Sequence, residues 1–203
     1  MDKDELKKLK ARFLELLRST GIDDIDYFIE NLEHTDFFRQ PASAKGHLCF
    51  EGGLMVHSLN VYDAAVLLKK SLISIRPDIY EKVSDESIII ASLLHDVCKA
   101  DLYYKRRGAQ ADLGKAEYGF NETSLPVGHG EKSVMRLFQM GLDLTDAEIC
   151  AIRWHMGAWS VNQSDAEQRG DIKSAEKLYP LVTLIHLADT VAAKVTERPA
   201  TSF

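Results

Sequence analysis

The 203-residue sequence has little cysteine: Cys49, Cys98 and Cys150 are odd in number, far apart, and form no CxxC pair. That scarcity excludes a disulfide framework and a paired-thiolate zinc site. No apolar run approaches the ~20 residues of a membrane-spanning helix. The opening MDKDELKKLK, rich in charge, offers no apolar stretch for a secretory signal. Glycine patterns of the Walker or dinucleotide-binding type are missing, as are internal repeats and low-complexity segments. Positive charge is also in deficit, with Lys+Arg 25 against Asp+Glu 31, a formal net charge of -6 and a pI of 5.6. This excludes a protein that coats nucleic acid through bulk charge and leaves room for a local basic pocket for one small anion. Together the absences predict a soluble, reduced, cytoplasmic protein with no membrane partner.

What is present is helical periodicity in an ordinary globular composition, 45% hydrophobic and 28% charged. Leu6, Leu9, Phe13, Leu14, Leu16 and Leu17 recur at three- and four-residue steps and define one apolar helix face. Gly21 ends that helix, and Asp23 or Asp24 can cap a successor carrying Ile25, Phe28, Ile29 and Leu32. Residues 53–72 form a long helix, and Ser84 caps an isoleucine-rich one running to Val97. Thr145-Asp146-Ala147-Glu148 is a capping box, and Pro180 opens a last apolar helix. Strand-type alternation is almost absent, so the expected class is all-α. The pattern breaks over 101–128, with Gly108, Gly114 and Gly119, Pro126 and the basic run Lys105-Arg106-Arg107; a loop or short hairpin is expected there. The whole reads as one structural domain, with residues 1–40 a helical extension packed on a core of 41–203.

The chemistry lies in where polar groups interrupt apolar helices. His57 sits inside the 53–72 helix, His95-Asp96 ends the isoleucine-rich helix, and His129 begins another. His155 stands near the end of the capping-box helix, and Asp189 lies within the last one. A buried helix avoids such groups unless they have partners. Each histidine taken alone fits a core residue bonded to a backbone carbonyl, but five helices each presenting one such group point to a shared cation. Four imidazoles and two carboxylates exceed one metal's protein shell, and a carboxylate can bridge two ions; Asp96 is the natural bridge. Imidazole and carboxylate ligation without thiolate favours two divalent transition-metal ions, Fe, Mn, Co, Ni or Zn, over Ca or Mg.

The order His57 … His95-Asp96 … Asp189 resembles the H…HD…D signature of the HD-domain metal-dependent phosphohydrolases, over roughly residues 45–195. Gly52-Gly53-Leu54-Met55-Val56-His57-Ser58, His95-Asp96-Val97-Cys98-Lys99 and Ala188-Asp189 are similar to that family as well. The resemblance implies that His57, His95, Asp96 and Asp189 hold a first metal, with Asp96 bridging to a second completed by His129 and His155. It also implies that Lys99 matches the lysine of HDxxK, which contacts substrate phosphate or metal-bound solvent. A solvated helix-end cation is the other reading of Lys99.

The expected activity is hydrolysis of a phosphomonoester or phosphodiester of a nucleotide or short oligonucleotide by a metal-activated hydroxide, with Asp96 and Lys99 catalytic. Lys105, Arg106 and Lys115 either bind substrate or form a solvated basic loop. Two other classes share the ligand set: a dinuclear iron oxygenase of the same superfamily, and a non-catalytic metal-stabilised sensor. His186 is either a support for the ligands or core packing, and His47 is a further pocket candidate. Trp154 and Trp159 read as core and rim packing. The expected partner is a small phosphate-bearing substrate, with no stable binding of a nucleic-acid polymer.

Overall fold

The computed structural model describes residues 1–106 and 116–197. Among them are nine α-helices and one two-stranded ribbon, an all-α architecture. Helix α1 (Lys3–Ser19) is capped by the Asp2 carboxylate, which accepts from the Glu5 N–H at 2.8 Å. Thr20 closes it, and Gly21 at φ +67° turns the chain. Helix α2 (Ile25–His34) begins after Asp24, which occupies the left-handed region at φ 59° and makes no side-chain cap. The expected capping by Asp23 or Asp24 is therefore replaced by a backbone turn.

The long α3 (Gly53–Ile73) forms the centre of the molecule and packs against α5 (Asp85–Leu94) and α9 (Pro180–Val191). Its first three turns are buried on nearly every side, from Leu54 through Ala65, which is why the apolar pattern there runs around the helix. A short α4 (Pro77–Tyr80) follows, and Ser84 then caps α5 by accepting from the Ser87 N–H at 3.0 Å. Helix α7 (Asp146–Trp154) starts with the capping box read from the sequence, Thr145 and Glu148 each bonding the other's backbone N–H. Glu148 also accepts from the Ser87 hydroxyl at 2.7 Å, tying the start of α7 to α5. Helices α6 (His129–Gln139) and α8 (Ala166–Leu178) complete the bundle. After Val191 the last helix widens into a π-helical turn, Ala192–Thr196.

The expected excursion over 101–128 contains a hairpin, β1 (Tyr103–Lys105) antiparallel to β2 (Tyr118–Phe120), with Tyr104 opposite Gly119. Phe13, Leu17, Phe28 and Leu32 of α1 and α2 are fully buried in the same core as Leu54, Ile90, Leu93 and Ile185. No single helix among the described residues is long and apolar enough to cross a membrane.

Candidate metal centre

Five helices converge at one end of α3. The six side chains singled out in the sequence, His57, His95, Asp96, His129, His155 and Asp189, are brought together there. His95 and His155 are each the residue that closes a helix, α5 and α7 respectively. Each donates its Nδ1–H to the carbonyl three residues back, Ser92 at 2.8 Å and Ile152 at 2.7 Å. A carbonyl can only accept, so each ring carries its proton on Nδ1 and turns its Nε2 inward. Both inward Nε2 atoms are buried without a hydrogen-bond partner. Buried polar atoms are nearly always satisfied, and this pair of bare lone pairs could be satisfied by a cation.

Asp96 occupies the centre and is almost fully buried. Its two oxygens divide the histidines between them. Oδ2 lies 3.4 Å from His95 Nε2, 3.8 Å from His57 Nε2 and 2.6 Å from Lys99 Nζ. Oδ1 lies 2.6 Å from His129 Nε2 and 3.6 Å from His155 Nε2. Asp189 Oδ1 stands 3.1 Å from His57 Nε2. Nitrogen and oxygen ligands held about 2.0–2.2 Å from a tetrahedral metal lie about 3.3–3.6 Å apart. Most of these separations fall near that edge length, so the donor set fits a metal ion. The 2.6 Å contact of His129 with Asp96 is instead a hydrogen bond, closer than two ligands of one ion stand.

Electrostatics follow from this crowding. Burial opposes charge on Asp96, but Lys99 and the neighbouring imidazoles outweigh it and hold the carboxyl well below its usual range. Burial likewise disfavours the imidazolium of His57, yet hydrogen bonds to Asp189 and Glu197 raise it to about 9. His129 is raised against burial to about 10 by its bond to Asp96. His155, with burial the leading influence, is lowered and keeps its Nε2 lone pair free. Burial opposes charge on Asp189 too, but His57 overrides it and the carboxyl is lowered. Without a metal, protons held on His57 and His129 thus face the carboxylates of Asp189 and Asp96, and a metal would take the place of those protons.

Close backbone packing puts the rings in register. A Cβ at Gly130 would stand 2.1 Å from the Arg153 carbonyl oxygen, so only glycine lets the start of α6 approach the end of α7. The His129 and His155 ring centroids are consequently 5.2 Å apart. His186 donates Nδ1–H to the carbonyl of His155 at 2.7 Å, which braces the end of α7 beside that ring. Gly157, at φ +56°, leaves room for the His186 ring.

Lys99 spends two of its three N–H groups on Asp96 Oδ2 and on the Ala42 carbonyl at 2.9 Å. It still lines a cavity of about 380 Å³ beside the centre, with His47, His186, Lys194 and Trp159. Trp159 stands at its rim, 88% exposed, while Trp154 is buried. The basic loop residues are elsewhere. Lys105 pairs with Glu117 at 2.8 Å, and Arg106 donates to the carbonyls of Ala116 and Tyr118; neither lines this cavity. Both cations hold the hairpin together, and Lys115 and Arg107 lie outside the described residues. The cationic lining comes from Lys99 and Lys194, near in space and far apart in sequence, with His47 a polar neighbour whose burial disfavours charge.

Two further residues were not legible. Cys98 places its sulfur 3.3 Å from His129 Nδ1 and 3.6 Å from Nε2, so a soft donor does border the second half of the centre. Its position two residues after Asp96 was the available signal. Glu197 accepts from His57 Nδ1 at 2.9 Å, and no spacing in the sequence points to it. No family model, curated protein or solved structure matches the chain.

Proposed function

We propose that this protein is a metal-dependent phosphohydrolase with a dinuclear centre, cleaving a phosphomonoester or phosphodiester of a nucleotide or short oligonucleotide. The observation that carries this reading is the partition of four imidazoles between the two oxygens of one buried carboxylate, with two of those imidazoles presenting bare, buried Nε2 atoms. His57, His95, Asp96 and Asp189 would hold one divalent transition-metal ion and Asp96, His129 and His155 the other. Bound there, such ions supply Lewis acidity, making water a better nucleophile and drawing charge from phosphoryl oxygens. Fe, Mn, Co, Ni and Zn all suit imidazole and carboxylate donors, and the Cys98 sulfur adds a preference for the softer of them.

The chain's own residues supply the remainder. Lys99 keeps Asp96 ionised and lines the cavity, where its ammonium would offset charge on a bound phosphate. Lys194 adds a second cation to the wall and His47 a polar ring, and the exposed indole of Trp159 offers an apolar face at the mouth. This lining favours an anionic ester over the oxygenase alternative. A cavity of about 380 Å³ suits a small molecule better than a polymer.

The test loads metal-stripped protein separately with Fe²⁺, Mn²⁺, Co²⁺, Ni²⁺ and Zn²⁺ and follows phosphate release from mono- and diester substrates beside oxygen uptake. Metal-dependent ester hydrolysis is expected. Oxygen uptake with iron and no phosphate release would overturn the hydrolase reading in favour of oxygenation.

A further inference from the structure

Glu197 lies outside every motif in the sequence, yet its side chain is only 1% exposed. A buried carboxylate is costly unless its oxygens find donors. Here Oε1 accepts from His57 Nδ1 at 2.9 Å and from Asn60 Nδ2 at 3.0 Å. Oε2 lies 3.2 Å from His57 Nδ1 and 3.5 Å from His47 Nε2. His57 and Asn60 are three apart on α3 and share a face, so one carboxylate clamps that face at the level of the centre.

The π-helical turn delivers it. An uninterrupted α-helix would carry residue 197 about 80° around from residue 189. The turn Ala192–Thr196 closes with the Glu197 N–H on the Ala192 carbonyl at 3.0 Å, five residues back. Each such bond takes in more chain per turn than the α-helix does, which swings Glu197 back toward the face of Asp189. His57 is therefore held at both nitrogens by carboxylates of one helix, Asp189 at Nε2 and Glu197 at Nδ1.

We propose that Glu197 is a positioning residue of the metal centre. By accepting from Nδ1–H it fixes the tautomer and ring angle that present the His57 Nε2 lone pair beside Asp96 and Asp189, and it strengthens that nitrogen as a donor. His95 and His155 achieve the same orientation with backbone carbonyls; His57, inside α3, has a side-chain carboxylate instead. The inference rests on the metal-centre reading above, and it assigns the π turn a purpose: it is the spacer that brings Glu197 onto His57.

The experiment titrates the full, metal-stripped chain with Zn²⁺ by calorimetry, as wild type, Glu197→Ala, Glu197→Gln and Asn60→Ala. Long-range nitrogen NMR then reads the His57 tautomer in each Zn²⁺-loaded form. Losing such an outer partner costs about 10–100-fold in metal affinity, so Glu197→Ala is expected to weaken Zn²⁺ binding by that factor and to scramble the His57 tautomer. Glu197→Gln, whose amide oxygen still accepts from Nδ1–H, is expected to recover most of both. Wild-type affinity in Glu197→Ala, or a loss that Gln does not recover, overturns the inference. So does a wild-type Zn²⁺ form in which His57 Nδ1 carries no proton, a readout that needs no variant to fold. Failure of the wild type to take up Zn²⁺, Mn²⁺ or Fe²⁺ overturns the metal-centre reading itself, and this inference with it.

Discussion

Asp96 meets His57, His95, His129, His155 and Lys99, the last through its Oδ2 at 2.6 Å. Asp96→Asn keeps the volume and replaces one oxygen with an amide NH2, which cannot ligate a cation. Metal content is expected to drop in both halves of the centre, with hydrolysis falling by about 100-fold or more, as read by elemental analysis beside the phosphate assay. Retained metal and full hydrolysis would contradict a bridging Asp96. The histidines add a pH dependence whose sign follows from their shifts. In the metal-free chain His57 and His129 are raised from an ordinary 6.5 to about 9 and about 10. The folded chain thus binds these protons more tightly than the unfolded chain. Their contribution to stability is complete below pH 6.5 and is lost as pH rises through 9 and 10. Metal must displace the same protons, so its apparent affinity rises with pH up to that window. The metal-free melting temperature is expected to fall between neutrality and that window, while the thermal shift on adding metal grows. A metal shift independent of pH would count against His57 and His129 as ligands.

At the scale of elements, three candidate ligands sit where helices begin or end, and the carboxylate behind His57 sits where a helix changes form. His129 is the first residue of α6, His95 and His155 close α5 and α7, and Glu197 follows the π turn. Helix ends were legible because Ser84, Thr145 and Pro180 mark starts chemically, and the six ligands stood out as polar groups in apolar runs. Glu197 was not legible, since its place depends on a change in helical pitch that no residue type announces. Of the two readings of Lys105 and Arg106, the structure pairs them with Glu117 and backbone carbonyls of the hairpin, which charge density along the chain does not reveal. Gly130 shows how far an element's position decides the chemistry. In Gly130→Ala the added methyl would meet the Arg153 carbonyl oxygen at 2.1 Å, so α6 must retreat from α7. Overpacking of this kind costs about 1–3 kcal/mol, and the retreat carries His129 away from Asp96. Chemical denaturation should show that loss, and metal analysis should show one ion fewer per chain. Two ions retained at full affinity would mean that His129 does not need this contact.

For the whole molecule, core and surface make separate demands. The core is shared: Phe13 and Leu17 from α1 are fully buried against the same cluster that surrounds α3 and α9. Phe13→Ala should therefore cost about 3–5 kcal/mol, and it should lower stability and metal retention together in one unfolding transition. The surface, by contrast, limits the substrate. The formal net charge is -6, and the cavity at the centre gathers Lys99, Lys194 and four histidines beside Asp96 and Asp189. Two divalent ions would offset most of the excess negative charge, but only at that point, whereas a polymer binder needs cations spaced along a track of phosphates. A labelled single-stranded oligonucleotide of about 20 residues, at physiological salt, should bind no more tightly than about 100 µM. An excess of it should leave hydrolysis of a mononucleotide nearly unchanged. Tight binding that weakens steeply with added salt would reveal a phosphate track outside the cavity, and the substrate would then be a polymer presented end-on to the centre.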